Sequence, residues 1–431
     1  MENLKEAMGN VSLGGPSEDP DHLLFNPQAG SGLAPTALDE IPRYLFRVAS
    51  PLSSGTTNGM WVRSESAYHN RNFFTEDIFF DLDDEKRKAI AQTINLHLRW
   101  SKDKKVGTDN FVSWTSSLPF AIQYIYYRHL SPEDGSSLED IKLYVIDTTQ
   151  FPKGTFLPDL DLINAFWGYD HHSPRKDLEN FRYLRNQTRH YFGEYLSQGS
   201  LKIQGKREII SATSLFEGDR LRRLQPHFRV FEGFPFRNGN PIWANEVIRL
   251  RDVIWQATDI RTLSPEEMEG RLEAVKEIVQ DLEPNWRYPL AIYFTSLIGS
   301  GSLIGEGGTA IHNVFSSYFR STFPAGQQPL SPSSFRTVVS EKMPEIKQVE
   351  RLVREIHKYH ALEQALERIT AAALNIRRLH IGTISPDNGL ALVVADPNEL
   401  LDRTGQTLLA KLRSVQDLCG TVISSISSNA V

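Results

Sequence analysis

The chain has 431 residues, with 47 basic and 53 acidic side chains and a net charge of −6. That length exceeds the roughly 250–300 residues at which one core stops growing, so two domains are expected. The nearly balanced charge excludes the broad basic footprint of a nucleic-acid or anionic-lipid binder. The single cysteine, Cys419, excludes an intramolecular disulfide and a cysteine-based zinc site.

Residues 1–38 are rich in Gly, Pro, Ser and Asp and lack periodicity, the composition of a disordered leader. Their start has charges but no apolar core of the kind a secretory signal needs. No window approaches the roughly 18 apolar residues of a membrane span; the most apolar stretch, residues 289–298, reads as a buried helix. A cytoplasmic or nuclear protein is therefore expected.

Short strand-like runs follow at residues 44–48, 110–113, 142–147, 195–203 and 208–213, with helices expected at 85–100, where Ile90, Ile94 and Leu98 step at helical spacing, and at 119–128. After the turn-rich residues 234–241 the pattern changes to long helices at 244–256, 265–282, 288–298, 344–380 and 398–422. Ser264 before Pro265 suits a helix start. The expected organisation is an α+β domain over 39–233 and a helical domain over 242–431. The stripe Ile346, Val349, Leu352, Val353, Ile356, Tyr359, Leu362, Leu366 and Ile369 suits packing in a helical bundle or coiled coil, and the helical half is open to a protein partner or a dimer. The glycine-rich run 300–308 lacks the Gly-Lys-Ser/Thr ending of a phosphate loop and reads as a connector.

Three segments carry chemistry. Arg47 lies on the first of these strands, and its planar fork suits a pyrophosphate or ribose. In Phe111-Val-Ser-Trp-Thr-Ser-Ser117, alternation puts Ser113 and Thr115 on one strand face. Glu194 opens the run Glu-Tyr-Leu-Ser-Gln-Gly199, and a carboxylate there suits a developing positive charge on a sugar ring. Arg47 also reads as an ordinary ion-pairing arginine, Ser113 to Ser117 as a helix cap, and Glu194 as a solvated carboxylate. His171-His172 lacks a helical partner histidine, so no metal is assigned. Arg220-Leu-Arg-Arg223 reads as a solvated basic patch or a phosphate contact.

In order, these segments resemble the ADP-ribosyltransferases of the arginine-serine-glutamate class, in particular the catalytic chain of the cholera and heat-labile enterotoxins. The likeness runs from Tyr44 to near His227, with Leu143-Tyr-Val-Ile-Asp-Thr148 and Phe151 similar to the strand after the serine strand. The same pattern resembles an uncharacterised domain common in fungal proteins. The resemblance implies a split β-sandwich with flanking helices and NAD as substrate, with no permanently bound cofactor. It implies Arg47 binding NAD with Thr115, Phe111 and Tyr195, Ser113 shaping the site, and Glu194 acting on the ribose. Two departures stand out: Trp114 replaces the family's central threonine, and Phe192 occupies the position two before Glu194, where arginine-modifying members carry a second glutamate. NAD hydrolysis, a protein acceptor, and an inactive interaction protein whose helical half binds a partner all remain open; action on an RNA 2′-phosphate fits the charge poorly.

Overall fold

The computed structural model describes residues 22–359, apart from residues 35, 71–74, 102–108, 173–175, 235–241, 258–261, 301–305, 316, 317 and 319–342, together with isolated helical positions between 368 and 424. Contacts divide the chain into two compact units, Met1–Glu363 and Gln364–Val431. The expected helix over 398–422 and the C-terminal part of that over 344–380 lie outside the described residues, apart from those isolated positions.

The first unit is α+β. Its strands are β1 (His22–Leu23), β2 (Tyr44–Ala49), β3 (Thr56–Thr57), β4 (Trp61–Arg63), β5 (Phe111–Thr115), β6 (Lys142–Asp147), β7 (Leu157–Pro158), β8 (Glu194–Lys202) and β9 (Arg207–Ser211). They form one antiparallel sheet in the order β3-β4-β8-β5-β2-β6-β9, with β1 and β7 also paired to β8. β8 reaches so many partners because Gly199, at φ +63°, interrupts it between Gln198, which pairs with β5, and Ser200, which pairs with β4.

The helices are α1 (Asp84–Leu98), α2 (Leu118–Leu130), α3 (Asp159–Phe166), α4 (Leu178–Asn186), α5 (Ile242–Ile254), α6 (Pro265–Val279), α7 (Pro284–Ser296), α8 (Glu306–Val314) and α9 (344–359), with shorter turns between. Caps fix their starts: Asp83 accepts from Lys86 N at α1, Ser117 from Phe120 N at α2, and Ser264 from Glu267 N at α6. The last residues of the glycine-rich run, Glu306 to Gly308, are helical rather than connector.

One sheet face carries Tyr44, Phe46, Val48, Leu143 and Val145 against α2 and α5–α9 in a single apolar cluster. Tyr293 of α7 lies edge-on to Phe46 with ring centroids 5.0 Å apart. The sequence reading separates sheet and helices near residue 240, whereas this core is shared by both as far as Ile356. The apolar stripe of α9, Ile346 to Ile356, is buried within it, packed among the other helices. The opposite face packs Leu45, Val112, Trp114, Ile146 and Tyr195 against Phe151 and Phe156.

Part of the expected leader, from His22 on, is ordered structure. His22–Leu23 forms β1, Phe25 is 2% exposed, and its amide donates to Gly154 O at 2.7 Å. A few apolar side chains, Phe25 and Ala37 among them, suffice to dock a segment whose overall composition reads as disordered.

β2 and β6 stay in register over six pairs, but β2 and β5 meet only at Phe46 opposite Thr115 among the described residues. The sheet opens there. Gly55, at φ +72°, supports one rim: a Cβ would lie 2.2 Å from Arg63 O. Gly55→Ala is expected to lower stability by about 1–3 kcal/mol in a denaturant titration and to displace Thr57, which holds Arg47.

Candidate active site

The opening between β2 and β5 is a cavity of about 390 Å³, in the lower range of small-molecule sites. Arg47, Ser113 and Glu194 all line it. Register explains the last two. Glu194 pairs with Thr115, so pleating sets it on the face of Ser113, one diagonal step away. Ser113 Oγ donates to Glu194 Oε1 at 2.7 Å.

Ser113 Oγ also lies 2.8 Å from His97 Nε2, and His97 Nδ1 lies 2.7 Å from Asp109 Oδ2. Asp109 Oδ1 accepts from Phe111 N at 3.0 Å, which fixes that carboxylate at the start of β5. The alignment has the order of a hydrolase Asp-His-Ser triad. Proton accounting argues for another role. A serine hydroxyl has one proton, and given to Glu194 it leaves Ser113 Oγ to accept from His97 Nε2 rather than donate to it. A carboxylate 2.7 Å from the hydroxyl also opposes any charge developing on it as a nucleophile. The relay orients Ser113 toward Glu194.

Arg47 bridges the opening. Its Nη1 donates to Ser113 O at 2.9 Å, where an intact ladder would offer a β2 amide, and its Nε donates to Thr57 Oγ1 at 3.1 Å. It has no carboxylate partner among the described residues. Desolvation pulls its pKa down to about 10, still well above neutrality. A half-buried guanidinium whose fixed bonds go only to neutral oxygens retains its charge for an anion. Trp100, Tyr124 and Tyr127 form an aromatic wall of the same cavity; the two tyrosine rings are stacked 5.5 Å apart at 10°.

Behind Glu194 lies a buried charge cluster. Arg185 of α4 donates from Nη2 to Glu194 Oε2 at 2.5 Å, and its Nε sits 3.2 Å from Asp159 Oδ2 without hydrogen-bond alignment. Arg185 stacks on Phe181 and Phe192, at 4.9 and 5.5 Å. Burial pushes Asp159 up to about 7, with Arg185 opposing and Glu194 and Asp161 reinforcing the rise. A carboxyl that holds its proton more tightly folded than unfolded stabilises the fold at low pH. Stability therefore falls as pH rises from about 4 toward about 7. Asp159→Asn is expected to remove this slope, its advantage over the parent growing between pH 5 and pH 7 in denaturant midpoints.

The remaining expected site residues divide. Phe111 lines the cavity and lies edge-on to His97 at 5.7 Å. Thr115 borders it, yet its hydroxyl donates to Phe192 O at 2.7 Å and accepts from Ser117 N at 3.0 Å, so it ties β5 to β8 rather than presenting a ligand contact. Tyr195 is corrected: it pairs with Trp114 on the opposite face, 1% exposed, because successive residues of β8 alternate. Phe192 is 6% exposed and packed at a tilt against Phe120, so no acidic group is presented two residues before Glu194. The basic run does not face the site: Arg223 and Arg220 are paired with Glu277.

Sequence reasoning missed His97, Asp109, Arg185 and Asp159. His97 had a signal, since it lies three residues after Ile94 and adjoins Leu98 on the apolar stripe of α1. Arg185 had none, because a buried arginine and a surface arginine read alike.

No curated protein and no solved structure matches the chain. Residues 40–204, which carry Arg47, His97, Asp109, Ser113, Asp159, Arg185 and Glu194, match the model of a domain of unknown function (DUF7587).

Proposed function

We propose that the cavity binds NAD and cleaves its nicotinamide–ribose bond, on an ADP-ribosyltransferase-like split sheet. The observation that carries this reading is the convergence of Arg47, Ser113 and Glu194 on one cavity where β2 and β5 part. Arg47 would hold the pyrophosphate or the adjoining ribose, and Phe111 and the tyrosine wall would pack against the rings. As the C–N bond breaks, nicotinamide leaves with the bonding pair and positive charge spreads over the anomeric carbon and ring oxygen. Glu194, held by Ser113 and Arg185, stabilises that charge. Water then adds to the anomeric carbon and loses a proton. With Phe192 in the core, water is a better-supported acceptor than a protein arginine.

A second reading, binding without cleavage, is favoured by Arg185, whose charge offsets that of Glu194. Incubation of the full chain with NAD separates the two. Nicotinamide release with a raised melting temperature supports cleavage; a raised melting temperature alone supports binding without turnover. Neither effect would remove NAD from the account.

A further inference from the structure

The matched domain ends at residue 204, but the segment leading into Glu194 is held by residues far beyond it. Three consecutive carbonyls are fixed. Gly193 O accepts from Ser116 N at 2.9 Å, and Phe192 O from Thr115 Oγ1 at 2.7 Å. Tyr191 O accepts at 2.8 Å from Nη1 of Arg251 on α5, which also reaches Thr188 O and Arg189 O at 3.4 and 3.3 Å.

Arg251 is itself fixed from α9. Its Nε and Nη2 grip Glu345 at 3.0 and 2.6 Å, and both side chains are 2% exposed. Glu345 Oε1 also accepts from Ser117 Oγ at 2.6 Å, and Ser117 caps α2 just after β5. Glu345 thus touches the end of the strand carrying Ser113, while Arg251 touches the entry to the strand carrying Glu194. The Arg251 guanidinium lies 5.3 Å from the Phe192 ring, whose other cationic neighbour is Arg185, the partner of Glu194.

We propose that the buried Arg251–Glu345 pair is a positioning device for Glu194, so that α5 and α9 are working parts of the site and the matched domain alone is an incomplete one. This rests on Glu194 as the reacting carboxylate. A pair of such burial need add nothing to stability, since an apolar replacement of similar volume is often neutral. What it supplies is a fixed carbonyl at Tyr191 and a fixed end to β5.

The test compares the full chain with Arg251→Met/Glu345→Met, which leaves no unpaired buried charge, and with Glu345→Gln. Expected for the double variant are a melting temperature close to the parent, a kcat for nicotinamide release lowered about tenfold to a hundredfold with KM little changed, and faster hydrogen exchange at Gly193 to Tyr195. Parental kcat and exchange in a folded double variant would overturn the proposal. If the double variant does not fold, Glu345→Gln is read by the same two criteria. Should the parent release no nicotinamide, the catalytic reading fails by itself, and exchange at Gly193 to Tyr195 still decides whether the pair positions this segment.

Discussion

Arg185→Met is expected to lower the unfolding free energy by about 3–5 kcal/mol, the range for breaking a buried ion pair from one side. Arg185 is the cation between two buried carboxyls, 2.5 Å from Glu194 and 3.2 Å from Asp159. The two losses differ. Asp159 already holds its proton up to about pH 7, so it survives without the guanidinium as a neutral acid. Glu194, 8% exposed, keeps among the described residues only the Ser113 hydroxyl to offset its desolvation. Adding Glu194→Gln to Arg185→Met should therefore recover more than half of the loss, and Asp159→Asn much less. Urea midpoints of the parent, Arg185→Met, Glu194→Gln and their combination form a double-mutant cycle that measures this coupling. A loss below about 1 kcal/mol for Arg185→Met would mean that the cluster is not the electrostatic support of Glu194.

The second large effect is on ligand binding. Arg47→Met should weaken NAD between about tenfold and a hundredfold, the loss of one or two charge-assisted hydrogen bonds at about 1.5–3 kcal/mol. The fold should tolerate it, because Arg47 has no carboxylate partner among the described residues; its fixed partners are Thr57 Oγ1 and Ser113 O. Calorimetric titration with NAD, beside a thermal melt of the free protein, reads both. An unchanged affinity would assign Arg47 to closing the gap between β2 and β5 and nothing more.

Much of the frame was legible. Alternation of strand formers located β2, β5, β6, β8 and β9 within a residue or two, because those strands are buried on at least one face. The helices α1, α2 and α5 were located comparably, whereas the expected α6 ran three residues too far and the expected α7 began four residues late. The short pieces were not legible: β3, β4 and β7 have two or three residues each, too few for any period. At the site, the serine and glutamate were readable because they sit on regular strands. Thr115 and Tyr195 show where such reading stops. Face alternation separates Tyr195 from Glu194 once the strand is known to begin at Glu194, whereas the partners of the Thr115 hydroxyl depend on how β8 enters the sheet. The charge cluster joins Arg185 and Asp159, residues 26 apart in sequence on separate helices that meet through tertiary packing.

The proposed role of Glu194 is to drive cleavage of the nicotinamide–ribose bond in the cavity between β2 and β5. Its most direct test is release of nicotinamide from labelled NAD by the full chain and by Glu194→Gln side by side. Loss of one electrostatic stabiliser predicts release slowed by about 100- to 1,000-fold, with the NAD-induced rise in melting temperature retained. Equal release from both proteins would contradict the account and place the chemistry elsewhere.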